Sequence, residues 1–258
     1  SYKSREYLKA MVLPSDAENP SVEWSCSDKT VATVSTTGVV NAVGVGTAII
    51  TCAALDGSGV KAICTVNVGY YENDHEYVDL GLSVKWATMN IGASSPSSWG
   101  DFFAWGETKP KSSYYWTTYK WSPNYNWTSP VLTKYNSGDN LTTLELEDDA
   151  ANANWGGAWR MPTYDEMNEL ITKCMWTYTS DGCWVTGPTG NSIYFPGAGY
   201  HHFESHNNYS STNAGFYWSS TLSTDTPNSA CFLRTYELFT EMKVDNRCIG
   251  YTIRAVCP

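Results

Sequence analysis

Charge is scarce in this chain: Asp, Glu, Lys and Arg make up 16% of its 258 residues, against about 25% in ordinary globular proteins. Basic residues are the scarcest, 16 Lys and Arg against 26 Asp and Glu. No basic footprint exists to neutralise phosphates, which excludes nucleic acid as a partner. No apolar run approaches the roughly 18 residues that span a bilayer, so no transmembrane segment is expected in this chain. The opening residues, SYKSREYLKA, contain neither an apolar leader core nor a small-residue cleavage site. Also missing are Gly-x-Ser-x-Gly, His-Glu-x-x-His and a phosphate-cradling glycine loop before a helix, the usual marks of hydrolases, zinc proteases and nucleotide binders. Aromatic residues, by contrast, are abundant: 12 Trp, 18 Tyr and 7 Phe, or 14% of the chain. A chain so rich in bulky rings is not disordered.

The aromatics and the charge are unevenly spread. Trp24 is the one tryptophan before residue 70, and eleven follow. Residues 1–69 hold five Lys/Arg and six Asp/Glu, net −1, whereas residues 70–258 hold eleven and twenty, net −9. The aperiodic polar stretch from Gly69 to Glu76 between them predicts a boundary: a first domain over 1–69, a linker over 70–76 with His75 exposed in it, and a second domain over 77–258.

The first segment alternates with period two, the mark of half-buried strands. Val22, Trp24 and Cys26 share a face, as do Ala48, Ile50 and Cys52, and Ala62, Cys64, Val66 and Val68. Turn signals fall at Thr37-Gly38, Gly44 to Gly46, and Asp56-Gly57-Ser58-Gly59. Short strands with frequent turns predict an all-β sandwich. The Trp-Ser-x-Ser-Asp opening, Val-Ala-Thr-Val, Gly-Val-Val and Gly-x-Gly-Thr-Ala across residues 12–68 closely resemble the bacterial Ig-like group-2 domain. The resemblance implies a spacer or adhesion module of a bacterial surface protein, hence export, with a leader absent from this chain. The usual first strand is thin here.

The second segment reads as α+β, with short strands, few helices and long loops. YVDLGLSVKWATMNIG predicts a strand, a turn at Gly81, and a strand carrying Val84, Trp86 and Thr88. Residues 107–142 predict a long loop, functional or held by its own aromatic packing. Thr163 and Glu166 form a capping box, and Met167, Leu170, Ile171 and Cys174 follow at helical spacing, so a helix starts there with one buried stripe. A weaker helix is expected over Leu144–Asn152, its acids favoured by the dipole. The ordered set YVDLGLSVKWAT, FFAWGETKPK, LEDDAANANWGGAWRMPTYDEMNEL, GNSIYFPGAGY, YWSST and GYTIRAV resembles the Fibrobacter succinogenes major paralogous domain. That resemblance implies a bacterial surface domain with the formylglycine-generating-enzyme variant of the C-type-lectin-like fold.

Candidate site residues follow. His201, His202 and His206, with Glu204 between them, are either a zinc site or a solvated loop; tight metal sites draw ligands from a rigid frame, so no metal is expected. Glu145, Glu147, Asp148 and Asp149 are either calcium ligands or an acid pair, or simply a carboxylate-rich helix start in which Asp148 or Asp149 pairs with Arg160. The chain lacks the Glu-Pro-Asn or Gln-Pro-Asp triplet of calcium-dependent lectins, so that mode of sugar binding is not expected. Three cysteines fall in the first domain, all at inward positions, and five in the second. Cys174 and Cys183 can close a short loop, but spacing cannot assign pairs, and no counterpart of the formylglycine-generating enzyme's catalytic cysteine motif is seen. The sequons at Asn126, Asn140 and Asn208 read as chance in a Ser/Thr/Asn-rich chain.

Aromatics crowd one segment: Tyr114, Tyr115, Trp116, Tyr119, Trp121, Tyr125 and Trp127, beside Ser, Thr and Asn. Rings with hydroxyl and amide neighbours suit a sugar face or a protein surface, although several must be buried. The expected function is non-enzymatic adhesion or recognition at the cell surface or outside the cell. The partner is an extracellular protein or glycan, bound without a cofactor by loops 112–128 and 200–213 and the loop Ser223–Asn228. The named contacts are Tyr114, Tyr115, Trp116, Tyr119, Trp121, Tyr200, His201, His202, His206, Asn208 and Tyr209. The alternatives are a structural subunit or spacer beside other surface-assembly subunits, and a polysaccharide-acting enzyme, which needs two carboxylates about 5–10 Å apart in a cleft.

Overall fold

The computed structural model describes residues 5–125, 130–203, 205–207 (backbone only), 214–236 and 238–258. The chain divides into two compact units, residues 1–71 and 72–258.

In unit 1, β1 (Arg5–Tyr7), β2 (Val22–Cys26), β3 (Ala32–Val34), β4 (Val39–Ala42), β5 (Gly46–Ala54) and β6 (Lys61–Val68) form two antiparallel sheets ordered β1-β4-β3 and β2-β5-β6. The alternation follows the pleat: Ala48 and Ile50 of β5 are buried while the alternate residues Thr47 and Ile49 are exposed. They join Val31, Ala32 and Val40 in a small core. Gly38 turns the chain at φ +81°, and a Cβ there would sit 2.5 Å from the Leu8 carbonyl oxygen, so only glycine fits. One expectation fails in this unit. Cys26 and Cys52 are half-buried, but Cys64 is exposed. Along β6 the period holds, yet Lys61–Thr65 is exposed on both faces and only Val66 and Val68 are partly covered.

The stretch expected to be a linker over 70–76 takes part in a hairpin, β7 (Tyr70–Glu72) and β8 (His75–Val78), joined by Asn73 and Asp74 at φ 44° and 65°. Asn and Asp tolerate this left-handed pair, which makes the tight turn that twisted strands prefer. His75 is half-buried, its ring stacked 4.0 Å from Trp155. Burial lowers its pKa, partly offset by Asp74. β9 (Lys85–Asn90) continues this sheet, ordered β18-β9-β8-β7, with Gly81 at φ 80° before it and Trp86 fully buried.

Residues 107–142 contain no strand and no α-helix among those described, only a 3₁₀ turn at Trp116–Thr118. The expected helix over 144–152 starts later. A 3₁₀ turn holds Leu146–Asp148, and α1 (Ala150–Trp155) begins at Asp149, whose carboxylate accepts from the amides of Ala151 (2.8 Å), Asn152 (3.0 Å) and Met161 (2.8 Å). The acids therefore precede the helix. α2 (Tyr164–Lys173) starts at the capping box: Thr163 accepts from the Glu166 amide, and Glu166 accepts from the Thr163 amide at 2.8 Å. Arg160 pairs with neither Asp148 nor Asp149; it forks onto Glu166 at 2.5 and 2.8 Å, bracing the cap.

The remaining strands are β10 (Met175–Tyr178), β11 (Gly182–Thr186), β12 (Ser192–Pro196), β13 (Tyr200–His202), β14 (Ser205–Asn207), β15 (Gly215–Leu222), β16 (Ser229–Tyr236), β17 (Phe239–Asn246) and β18 (Arg254–Cys257). They form sheets β10-β11-β12, β13-β14 and β15-β16-β17. All eight cysteines are free, Cys174 and Cys183 included. Two clusters make the core of this unit, one around Trp105, Trp159, Trp218 and Tyr251, the other around Trp86, Met167, Leu170, Phe195 and Leu233.

Candidate functional site

Three of the expected contact residues belong to the interior. Tyr114, Trp116 and Tyr119 are 1%, 6% and 2% exposed. The two tyrosines spend their polar ends on backbone: the Tyr114 hydroxyl donates to Phe102 O at 2.5 Å, and the Tyr119 hydroxyl to Trp105 O at 2.7 Å. Burial pushes the Tyr114 hydroxyl up to about 12 and raises Tyr119 further. Trp121 is half-buried, its Nε1 donating to Gly106 O at 3.2 Å and its ring lying 4.2 Å below the Lys120 ammonium. Tyr114, Trp116 and Tyr119 therefore present no free face to a large partner, and Lys120 lies over one face of Trp121.

Tyr115, Tyr200, His201 and His202 are half-buried and lie near one another. β13 alternates, so His201 and His202 diverge. The His201 ring packs edge-on to Phe102 at 4.6 Å, whereas the His202 ring approaches Phe203 at 4.5 Å and Tyr115 at 5.9 Å. Two of the three histidines of the zinc pattern therefore point apart. His206 pairs with His201 across the hairpin through backbone. Asn208 and Tyr209 lie outside the described residues, as do Asn126, Trp127 and Glu204. The Ser223–Asn228 loop closes the β15–β16 hairpin through Ser223 N to Ser229 O at 3.1 Å.

The two-faced sheet β15-β16-β17 builds the cleft of this unit. On β16, Leu233 is fully buried in the second core cluster, while Phe232, Arg234 and Tyr236 turn to the other side. Their β17 partners are Lys243, Glu241 and Phe239 in register. With Tyr200 and His202 and the segment carrying Ile249 and Tyr251, this face lines a cleft of about 450 Å³, within the range of small-ligand sites, roughly 300–1,000 Å³. Phe216, Phe232 and Tyr251 form the floor, ring centroids 4.7–5.8 Å apart. On the rim, Arg234 pairs with Glu241, which also takes Lys243 at 3.0 Å. The Arg234 guanidinium lies 5.6 Å over both Tyr236 and Phe239. Partial burial pushes the Glu241 carboxyl up, but the hydrogen bonds from Arg234 and Lys243 outweigh it and hold it below its ordinary value. Asp245 accepts from the Tyr251 hydroxyl at 2.6 Å.

Next to His202 a second feature stands out of the surface. Phe203 is 49% exposed, and its ring stacks on Tyr115 at 4.2 Å and 19°. Its backbone is left-handed, φ 55°, held by reciprocal hydrogen bonds with Tyr114 at 2.8 and 3.0 Å. A bulky residue in that conformation costs on the order of 1–3 kcal/mol. None of Phe203, Arg234, Tyr236, Glu241, Lys243 or Asp245 stood out in the sequence. The signal for most of them was the alternation of ACFLRTY and FTEMKVD, which assigns Arg234 and Leu233 to opposite faces.

The acid cluster is separate in composition from this cleft. Glu145, Glu147 and Asp148 offer oxygens within 4.8 Å of one another, but the Lys134 ammonium already collects them at 2.5, 3.0 and 2.6 Å. Lys120 and the Tyr135 hydroxyl also reach Asp148, at 3.0 and 2.8 Å. Burial pushes Asp148 up, but these three partners together pull it below its ordinary value. Adjacent Asp149 is raised, because burial there exceeds what its backbone donors return. Lys134→Met should therefore cost about 1–3 kcal/mol, with Asp148 losing its strongest partner. Calcium or a chelator should leave the wild-type unfolding midpoint where it is; a calcium-dependent rise would mean that the lysine yields its place. The stability Asp148 contributes is present above its ordinary value of 3.8 and lost as the pH falls below it, so the acid limb of a stability profile should be shallower in Lys134→Met. Burial pushes the thiols of Cys183 and Cys248 up to about 12 and those of Cys174 and Cys257 to about 11, and raises Cys231 as well.

Fold and site together describe a mostly β chain with two α-helices among the described residues, an Ig-like first unit and a cleft-bearing second unit. Residues 5–66 match the family of the bacterial Ig-like domain (group 2). Such domains are typical of bacterial surface and extracellular proteins. An uncharacterized protein of Clostridium acetobutylicum is 44% identical to the chain over 61 residues, 24% of this chain. The match spans 6% of that protein's length. Among the described residues no helix is long and apolar enough to cross a membrane.

Proposed function

We propose that this is a non-enzymatic recognition or adhesion protein, exported and displayed at the bacterial surface, whose second unit binds an extracellular protein or glycan. The first unit serves as a spacer. The second takes the formylglycine-generating-enzyme variant of the C-type-lectin-like fold that its motifs resemble; its short strands, two helices and long irregular segments support that reading. The observation that carries the function is the cleft on the β15-β16-β17 face, with its ring-lined floor and charged rim. A non-catalytic role is supported by its acids. The carboxylates of this face, Glu241 and Asp245, stand four residues apart on one strand, roughly 13 Å between Cα atoms at 3.3 Å per residue. Each is already engaged, by Arg234 and Lys243 or by Tyr251.

Beads coated with the full chain should adhere to surfaces bearing host matrix proteins or glycans. Tyr236→Ala combined with Lys243→Ala should cut that adhesion at least about tenfold, one tenfold step being worth 1.4 kcal/mol. Adhesion indifferent to the double change would remove the cleft from the account.

A further inference from the structure

We propose that the cleft and the adjoining Phe203–Tyr115 step bind a neutral carbohydrate chain across at least two sugar rings. One ring lies over the cleft floor, and its neighbour stacks on the exposed face of Phe203. This rests on the recognition function above and names the ligand of that same site.

Charge decides between ligand classes first. Arg234 and Lys243 on this face are matched by Glu241 and Asp245, so its formal charge sums to zero. An acidic ligand would meet as many carboxylates as cations. A purely apolar ligand would strip water from Lys243 and Asp245 and return no hydrogen bonds. A sugar hydroxyl both donates and accepts, so a polyhydroxylated ring can satisfy Lys243 and Asp245 together. Its C–H face is apolar and suits the floor of Phe216, Phe232 and Tyr251.

Extent is decided by Phe203. His202 lines the cleft and also lies 4.5 Å from the Phe203 ring, so the two ring surfaces are neighbours. Glycine or asparagine would adopt φ 55° at little cost. A phenylalanine there is strained, and its ring is 49% exposed instead of being buried in exchange. The backbone bonds to Tyr114 hold the ring outward, and Tyr115 backs one of its faces. Such a fixed, pre-positioned ring fits a flat, weakly held partner better than it fits internal packing.

The test uses the full chain, an array of neutral, carboxylated and sulfated oligosaccharides, and immobilised matrix proteins. Cellotetraose, mannotetraose and their monosaccharides then serve as calorimetric probes, with the best neutral oligosaccharide of the array beside them. The expected result is binding of a neutral oligosaccharide more tightly than of its monosaccharide. Phe203→Gly should weaken it about tenfold, the scale of one lost ring contact, without lowering the unfolding midpoint, because glycine relieves the strain. Asp245→Asn should weaken both the oligosaccharide and the monosaccharide. Three outcomes overturn the inference and leave the recognition function standing: binding of acidic glycans only, binding of proteins only, or neutral-sugar binding unchanged in Phe203→Gly and Asp245→Asn. Failure to bind any of the probes would take down both.

Discussion

Trp218→Ala should lower the stability of the second unit by about 3–5 kcal/mol, the range for removing a fully buried large aromatic ring. Trp218 is 0% exposed at the centre of β15. Its ring lies 4.4 Å from Tyr251 and 5.9 Å from Phe232, the floor of the cleft, and its Nε1 donates to Phe103 O at 2.9 Å. The truncation opens a cavity under that floor and takes one of two donors from the Phe103 carbonyl, which keeps the Tyr251 amide at 3.0 Å. For a unit of this size the melting transition should fall by roughly 6–20 °C. Trp218→Phe keeps most of the volume and loses only the N–H, so its cost should be nearer 1–2 kcal/mol. Ligand binding should weaken with the stability in Trp218→Ala. A loss below about 1 kcal/mol would mean that the ring is not part of a packed core.

Arg254→Ala should cost roughly 2–4 kcal/mol, for a different reason. Arg254 is fully buried with no carboxylate partner among the described residues, and burial pushes its guanidinium down to about 10, so it is still charged at neutral pH. It donates to Asn90 Oδ1 at 2.9 Å, Ala87 O at 3.1 Å and Tyr194 O at 2.7 Å, and lies 4.6 Å over Phe195. One side chain thereby ties β18 to β9 and β12. Three charge-assisted hydrogen bonds offset a desolvation cost of several kcal/mol, so the net effect is smaller than their sum. Arg254→Lys should recover less than half, because a single ammonium cannot reproduce a planar fork onto three acceptors on two strands. Urea unfolding with an unchanged slope would report the loss as a shift in midpoint. If Arg254→Met is as stable as wild type, the desolvation cost exceeds the value of the bonds.

The local features were legible because local chemistry makes them. Thr163 and Glu166 are three residues apart and meet within one turn, so the capping box needs nothing from elsewhere. The β5 alternation follows from the pleat. The hairpin over 70–78 escaped because strands of three and four residues carry no usable period; its signal was the Asn73-Asp74 pair alone. Arg160 was assigned to the wrong acid because its partner lies six residues ahead on α2, beyond a proline.

The aromatic segment marks the boundary of what composition can settle. Tyr and Trp beside Ser, Thr and Asn describe a binding surface and an internally packed loop equally well. Tyr114 and Tyr119 are interior because the carbonyls of Phe102 and Trp105, contributed by another stretch of chain, receive their hydroxyls. The site could not be read whole for the same reason: its rim is written in β16 and β17, its floor in β15, β16 and the segment before β18, and its step in one residue whose left-handed φ no composition reveals.

What is scarce in this chain could be read from its residues alone. The shortage of basic groups, the missing bilayer-length run, the Ig-like first unit and the capped helix are matters of count, spacing and period. Which rings face out was decided only by the tertiary structure. A ring is buried or offered according to whether a distant backbone oxygen meets its polar end and a neighbouring sheet covers its face, and those partners are brought together only on folding.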